Sequence, residues 1–218
     1  MAEAKALFVF DLDGTLYDTA SSFLPTMNQV YREYAVEVPE DSTLLSMVGD
    51  PFPSFVQWLL TQGFAADAAT LAARIAELEI ASIPVRGRLY PEVKETLQAL
   101  RARGIRIALC TNADRHYTGT ILDAFALSPL FDGVSTHPGG SGTKTERLHD
   151  LIESNGCPRC VMIGDRYHDV EAGRANGCTV VGAAYGLPKP GELDDADVVI
   201  ERFSQLVPLA DRWLTTRA

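Results

Sequence analysis

Two aspartates one residue apart, Asp11 and Asp13, end an apolar run from Leu7 to Phe10 and are followed at once by Gly14 and Thr15. An unbroken apolar run of this length is the pattern of a strand buried on both faces. Side chains alternate along an extended chain, so Asp11 and Asp13 point the same way if extension continues. Gly14 lets the backbone bend and come close to a ligand. Carboxylates at the carboxyl end of a buried strand lie where open α/β sheets bind ligands. Held together they need a cation or a shared proton, because each like charge raises the pKa of the other.

Three later clusters complement this pair. Thr111 and Asn112 follow the apolar stretch Ile105 to Cys110. A hydroxyl and an amide at that point suit a phosphate oxygen, assisted by the free N–H groups of the helix that follows. The same dipeptide is also ordinary turn chemistry. Lys144 opens a helix after Gly139-Gly140-Ser141-Gly142. A cation there opposes the helix dipole, so either a nearby anion or plain solvent accounts for it. Asp165 follows the apolar stretch Cys160 to Ile163, and Asp169 lies four residues on. The two acids share a face if a helix starts near Arg166, although Asp165 alone also reads as a helix N-cap. Asp11, Asp13 and Asp165 together offer oxygen ligands to a hard cation. Mg²⁺ fits best, since it takes a few carboxylates plus phosphate and water.

The elements that must position these residues alternate. Strands are expected at Leu7–Phe10, Ile105–Cys110, Phe131–Ser135, Cys160–Ile163, Thr179–Ala183 and Val198–Ile200, with helices between most of them. A helix opened by Pro91 and ended by Gly104 precedes the second strand. Such alternation implies an α/β fold, a mostly parallel sheet with helices on both faces. Residues 17–87 break the pattern and read as four short amphipathic helices. The first carries Phe23, Met27, Val30, Tyr31 and Tyr34, and a short one spans Ser42 to Val48. The third carries Phe55, Trp58, Leu59 and Leu60, and the fourth is capped by Asp67 and carries Leu71, Ile75, Leu78 and Ile80. They suggest a small bundle inserted after the first strand.

Composition narrows the class. The 218 residues are 46% hydrophobic and 22% charged, as in a globular protein with a full core. A net charge of −10 argues against nucleic acid and anionic membrane as partners. A phosphate-bearing ligand must therefore meet local positive charge. No apolar run reaches the roughly 18 residues of a membrane span, and the start of the chain lacks a signal-peptide pattern. A cytoplasmic location is expected. Cys110 and Cys178 read as core residues. Cys157-Pro-Arg-Cys160 has the spacing of half a zinc site, but no second pair completes it.

Taken in order, Asp11/Asp13, Thr111, Lys144 and Asp165/Asp169 resemble the four motifs of the haloacid dehalogenase-like (HAD) hydrolases, across essentially the whole chain. The resemblance implies a Rossmann-like three-layer core, residues 1–16 and 88–218, with sheet order 5-4-1-2-3. It also implies that residues 17–87 are a C1-type helical cap. Asp11 would be the nucleophile that forms an aspartyl-phosphate. Asp13 would protonate the leaving oxygen and then activate water. Thr111 and Lys144 would bind the phosphoryl group. Asp165 would ligate Mg²⁺ together with Asp11 and the backbone carbonyl of Asp13, with Asp169 in support.

Asp13 favours ester cleavage over dehalogenation, since ester cleavage needs a proton donor and halide loss does not. Phosphonate-cleaving members of that family use a cap lysine as a Schiff base, and no lysine occurs in 17–87; a sugar phosphomutase would want basic cap residues to grip a second phosphate, and Met47-Val48-Gly49-Asp50-Pro51 offers none. The expected activity is Mg²⁺-dependent hydrolysis of a small phosphorylated metabolite by a monomer or homodimer. Gly164-Asp165-Arg166 looks like the phosphoglycolate phosphatase-like members. A substrate carboxylate would call on Arg115, His116, Arg166 or His168. Asp50 would instead favour a hydroxyl or amine, so nucleotide and sugar monophosphates stand as alternatives, and a non-catalytic binding module is the rival from another class.

Overall fold

The computed structural model describes residues 6–49, 52–137 and 142–215. Asp50, Pro51 and the expected Gly139-Gly140-Ser141 loop lie outside the described residues. Two compact units divide the chain. One runs to Tyr17 and resumes at Leu89, and the other is Asp18–Arg88.

The first unit is built on six parallel strands: β1 (Leu7–Phe10), β2 (Arg106–Cys110), β3 (Gly133–Ser135), β4 (Cys160–Gly164), β5 (Thr179–Ala183) and β6 (Val198–Ile200). Their spatial order is β3-β2-β1-β4-β5-β6. The expected five-strand order is present, and β6 extends it beyond β5. Strand β1 is central and every residue in it is buried. Phe10 pairs with Leu109 on one side and with Ile163 on the other. This register brings Asp11, Thr111 and Asp165 out of three adjacent strands at the same edge. The chain proceeds from β1 through β2 to β3, then crosses back to β4. Asp11 and Asp165 therefore flank the point where the winding direction reverses, the place where such sheets bind ligands.

Alternation along β1 feeds two cores. Leu7 and Val9 pack with Ala108, Met162, Leu148 and Ala172. The last two lie on α7 (Lys144–Asn155) and α8 (Tyr167–Ala175). On the opposite face, Phe8 meets Trp213 edge-on at 6.0 Å and Phe10 meets Phe203 at 5.6 Å. Trp213 belongs to α9 (Leu206–Thr215), which packs with α5 (Val93–Ala102). Helix α5 begins two residues after Pro91 rather than at it, because Glu92 holds a left-handed backbone, φ 63°, directly before it. Strand β3 omits Phe131 and Asp132. The Asp132 carboxylate instead accepts from the Ile107 N–H at 2.8 Å and pairs with Arg101.

The second unit contains α1 (Ala20–Glu33), α2 (Asp41–Leu45), α3 (Phe52–Thr61) and α4 (Ala68–Arg86). The apolar stripes converge as their spacing predicts: Phe23, Met27, Tyr31, Leu44, Phe55, Leu59, Leu71 and Ile75 form one buried cluster. Tyr34, Trp58 and Leu78 are only partly buried against it. Asp67 caps α4 by accepting from the Thr70 N–H at 2.9 Å. Leu71 is fully buried in this cluster. Leu71→Ala is expected to cost about 2–5 kcal/mol, measured as a lowered urea midpoint. A change below about 0.5 kcal/mol, the usual range for surface substitutions, would contradict the core position.

Candidate active site

The carboxylates of Asp11, Asp165 and Asp169 each bring an oxygen within 4.8 Å of the others, and all three residues are buried. They arrive from β1, from the end of β4 and from the first turn of α8. Helix α8 starts just after Arg166, whose backbone N–H donates to Asp169 Oδ2 at 3.0 Å. Lys144, at the first position of α7, lies between two of the acids. Its Nζ is 2.6 Å from Asp11 Oδ1 and 2.6 Å from Asp169 Oδ1. The anion that explains a cation at this helix start is thus a pair of aspartates. The helix itself is secured by a capping box between Thr143 and Glu146.

Gly14 and Gly164 make this approach possible. A Cβ on Gly14 would lie 2.0 Å from Asp165 Oδ2, and Gly14 holds φ +73°. A Cβ on Gly164 would lie 2.0 Å from the Asp169 Cγ. Asp165 is enclosed further by Thr15, whose hydroxyl donates to Oδ1 at 3.3 Å, and by the Leu187 N–H, which donates to Oδ2 at 2.8 Å.

Burial pushes the Asp11 carboxyl up to about 7. The Lys144 charge opposes this, while Asp169 and Asp13 reinforce it. Asp165 is also pushed well above the usual carboxylate range, by burial and then by Asp11 and Asp169. Burial alone would lower Lys144, but the charges of Asp11 and Asp169 outweigh it and hold the ammonium well above its ordinary value. Three buried carboxylates around one ammonium leave an excess of negative charge. A hard divalent cation with oxygen ligands matches that excess.

The other expected residues separate into groups. Asp13 is half-buried, and its carboxylate stands outside the gathered three. It accepts from the Tyr117 hydroxyl at 2.7 Å. Thr111 is buried, and its hydroxyl oxygen accepts from the Ala113 N–H at 3.1 Å, which leaves the hydroxyl proton to donate elsewhere. The N–H groups at the start of α6 (Arg115–Ala124) do not serve as expected. Asp114 caps the helix and takes those of His116 and Tyr117. Arg115 and His116 are exposed on α6. Arg166 is buried and held by Glu192, with Nε to Oε2 at 2.7 Å and Nη2 to Oε1 at 3.3 Å. It is therefore no candidate for a substrate carboxylate. His168 is half-buried, its ring 3.8 Å from that of Tyr167. The four cysteines are free thiols. Among the described residues, the only group gathered tightly enough for a metal is the three aspartates.

Sequence reasoning missed Thr15, Tyr117, Leu187 and Arg147. Tyr117 reads as one more apolar position of a helix. Arg147 leaves a better signal. Lys144, Arg147, Leu148 and Leu151 share one helical face and all four are buried, so two cations interrupt an apolar stripe.

A family model described as haloacid dehalogenase-like hydrolase matches residues 8–183. A phosphoglycolate phosphatase of Caulobacter vibrioides is 32% identical over 212 residues, 91% of this chain and 87% of that protein. A tyrosine-protein kinase, PtkA, of Mycobacterium tuberculosis is 30% identical over 207 residues, 91% of this chain and 68% of that protein. The crystal structure of a predicted phosphoglycolate phosphatase from Haemophilus somnus superimposes with a TM-score of 0.83 at 24% identity, covering 96% of this chain and 99% of that one.

The raised carboxyls make a pH-dependent stability prediction. A carboxyl whose pKa is higher in the folded state costs stability as pH rises from its unfolded value through its folded one. For Asp11 that window runs from about 4 to about 7. Metal-free protein is expected to lose thermal stability across that window, and Asp165→Asn to flatten the loss. Mg²⁺ at about 100 times its Kd should restore about 2.7 kcal/mol above pH 7, a Tm gain of about 5–10 °C for a chain of this size. A native profile no steeper than that of Asp165→Asn, with no Mg²⁺ response, would count against the site.

Proposed function

The chain belongs to the haloacid dehalogenase-like hydrolases, and from that membership we propose that it is a Mg²⁺-dependent phosphatase of small phosphorylated metabolites working through an aspartyl-phosphate on Asp11. Phosphoglycolate is the first substrate to test, because relatives such as the Caulobacter vibrioides protein carry that name. The observation that carries the reading is the Asp11 carboxylate, buried and fixed by Lys144 beside two further aspartates.

Lys144 holds one oxygen of Asp11 and leaves Oδ2 to attack phosphorus. The bond from that oxygen to phosphorus forms as the ester bond to the leaving oxygen breaks. Asp13 gives the leaving oxygen its proton and then takes one from the water that hydrolyses the acyl phosphate. Its position two residues on, outside the gathered carboxylates, keeps it separate from the nucleophile. Thr111, Asn112 and Lys144 bind the phosphoryl oxygens. Asp11, Asp165 and the Asp13 carbonyl would hold Mg²⁺, with Asp169 in support. When bound, the cation would supply positive charge that keeps Asp11 ionised and offsets the phosphate dianion. A buried carboxylate is otherwise a poor nucleophile toward a dianion. The same proposal makes residues 17–87 the part that selects the substrate.

Phosphate release from an aryl phosphate tests the reading, with and without Mg²⁺. Turnover should require the metal and vanish in Asp11→Asn. Asp13→Asn should lose about 10²–10⁴-fold, the contribution of general acid–base catalysis. A panel of phosphoglycolate, nucleotides and sugar phosphates then ranks substrates. ATP with a tyrosine peptide, the acceptor suggested by the kinase relative's name, should give no phosphopeptide. Turnover that survives Asp11→Asn would falsify the covalent route. Silence across the panel together with no Mg²⁺ binding would favour a non-catalytic module.

A further inference from the structure

Arg147 is a buried cation to which the proposed reaction gives no part. It lies one turn after Lys144 on the buried face of α7. A guanidinium keeps its charge when buried, so it must be satisfied by hydrogen bonds or cost stability. Nη1 donates to the Gly142 carbonyl at 2.7 Å. Nη2 donates to the Thr111 carbonyl at 3.2 Å and to Asn112 Oδ1 at 2.6 Å. All three acceptors are neutral. The Glu146 carboxylate feels the charge but is bonded to Thr143, and Arg147 Nε is buried without a partner. Positive charge thus enters the cluster that contains Thr111, Asn112 and Lys144 without a carboxylate bonded to it.

Two consequences follow from these bonds. An asparagine amide carries both an acceptor and a donor end. Here Oδ1 is held by Arg147, so the end left for a ligand is the NH₂ group, a pure donor suited to an anionic oxygen. The same guanidinium also joins the turn after β2 to the start of α7. Beside the packing of α7 on β2, this side chain therefore helps to set the relative placement of Thr111, Asn112 and Lys144.

We propose that Arg147 is a positioning residue of the phosphoryl site. It fixes the Asn112 amide as a donor and clamps the Thr111–Asn112 turn to the helix of Lys144, so that both donor sets meet one anion. The proposal rests on the phosphate-binding reading of Thr111, Asn112 and Lys144 given above, and extends it to a residue outside the four motifs.

Binding of inorganic phosphate in the presence of Mg²⁺, measured by calorimetry on the full chain, tests this without requiring turnover. The native chain is compared with R147Q, R147K, N112A and the double variant N112A/R147Q, with Tm recorded for each. R147Q should bind phosphate about 10- to 100-fold more weakly, the scale of loss when binding groups are misplaced. R147K should fall between, because lysine keeps the charge but lacks the planar fork. The double variant should lose clearly less than the product of the two single losses, as expected when one residue acts through the other. Native phosphate affinity in R147Q, with only Tm lowered, would reduce Arg147 to a structural residue and overturn the proposal. Fully multiplicative losses would also overturn it. Should R147Q not fold, R147K decides alone, and native affinity there is the overturning result. A native chain that binds phosphate but hydrolyses no ester sinks the phosphatase reading and leaves this comparison valid. A native chain that binds no phosphate with Mg²⁺ sinks both.

Discussion

Everything at the carboxyl edge of the sheet depends on the ion cluster around Lys144. One ammonium touches two buried aspartates at 2.6 Å each, and a third buried aspartate stands within 4.8 Å. Burying an ion costs several kcal/mol even after relaxation, on the order seen for paired charges in proteins. Burial, reinforced by neighbouring carboxylates that one lysine does not offset, pushes both Asp11 and Asp165 toward protonation. The cluster is therefore not held by its own attraction. The sheet imposes it. Strand β1 is paired on both sides, so Asp11 cannot retreat without breaking register with β2 and β4. A cluster that strained is poised to gain from a divalent cation and a phosphoryl group.

The closeness of the cluster is a matter of missing atoms. Asp165 lies where the side chain of any residue other than glycine at position 14 would have to be. The segment after β5 closes the same space from the other side. A Cβ on Gly186 would sit 2.2 Å from the Gly14 carbonyl and 2.6 Å from the Asp165 Cβ. Tyr185 donates to the Thr15 carbonyl at 2.9 Å, and Leu187 donates to Asp165. Arg166 and Glu192 tie the continuation of that segment back to the start of α8. Asp165 is thus buried by a stretch far from it in sequence. Its raised pKa is a product of tertiary structure that no local reading contains.

The sequence made much of this legible, for identifiable reasons. Strands β1, β5 and β6 fall where apolar runs between turn residues place them, because buried parallel strands leave a continuous signal. The paired acids after β1 and β4 were visible because charge at the end of such a run is unusual. Other features were not visible. Asp13 spaced two from Asp11 looked like an equal partner in a carboxylate cluster. In the folded chain the strand ends at Phe10, so the alternation that would align the two does not continue. Arg166 looked available to a substrate, and only the distant Glu192 removes it. Arg147 escapes a reading of the helix by its apolar positions alone.

In the proposed reading, the chemistry and the choice of substrate fall to different groups. The phosphoryl apparatus it invokes lies in backbone turns and buried ions that the fold fixes. The basic side chains nearest to it are already engaged: Lys144 by two aspartates, Arg166 by Glu192, and Arg147 by Asn112 and two carbonyls. A second anionic group on a substrate finds no uncommitted buried cation among these three. Residues 17–87 contain no lysine and three arginines, of which Arg74 is paired with Glu33 and Glu77. Recognition of a carboxylate would then fall to weaker, more exposed groups such as Arg115 and His116, where water competes for every hydrogen bond. The groups that touch the rest of a substrate are the ones least constrained by the ion cluster.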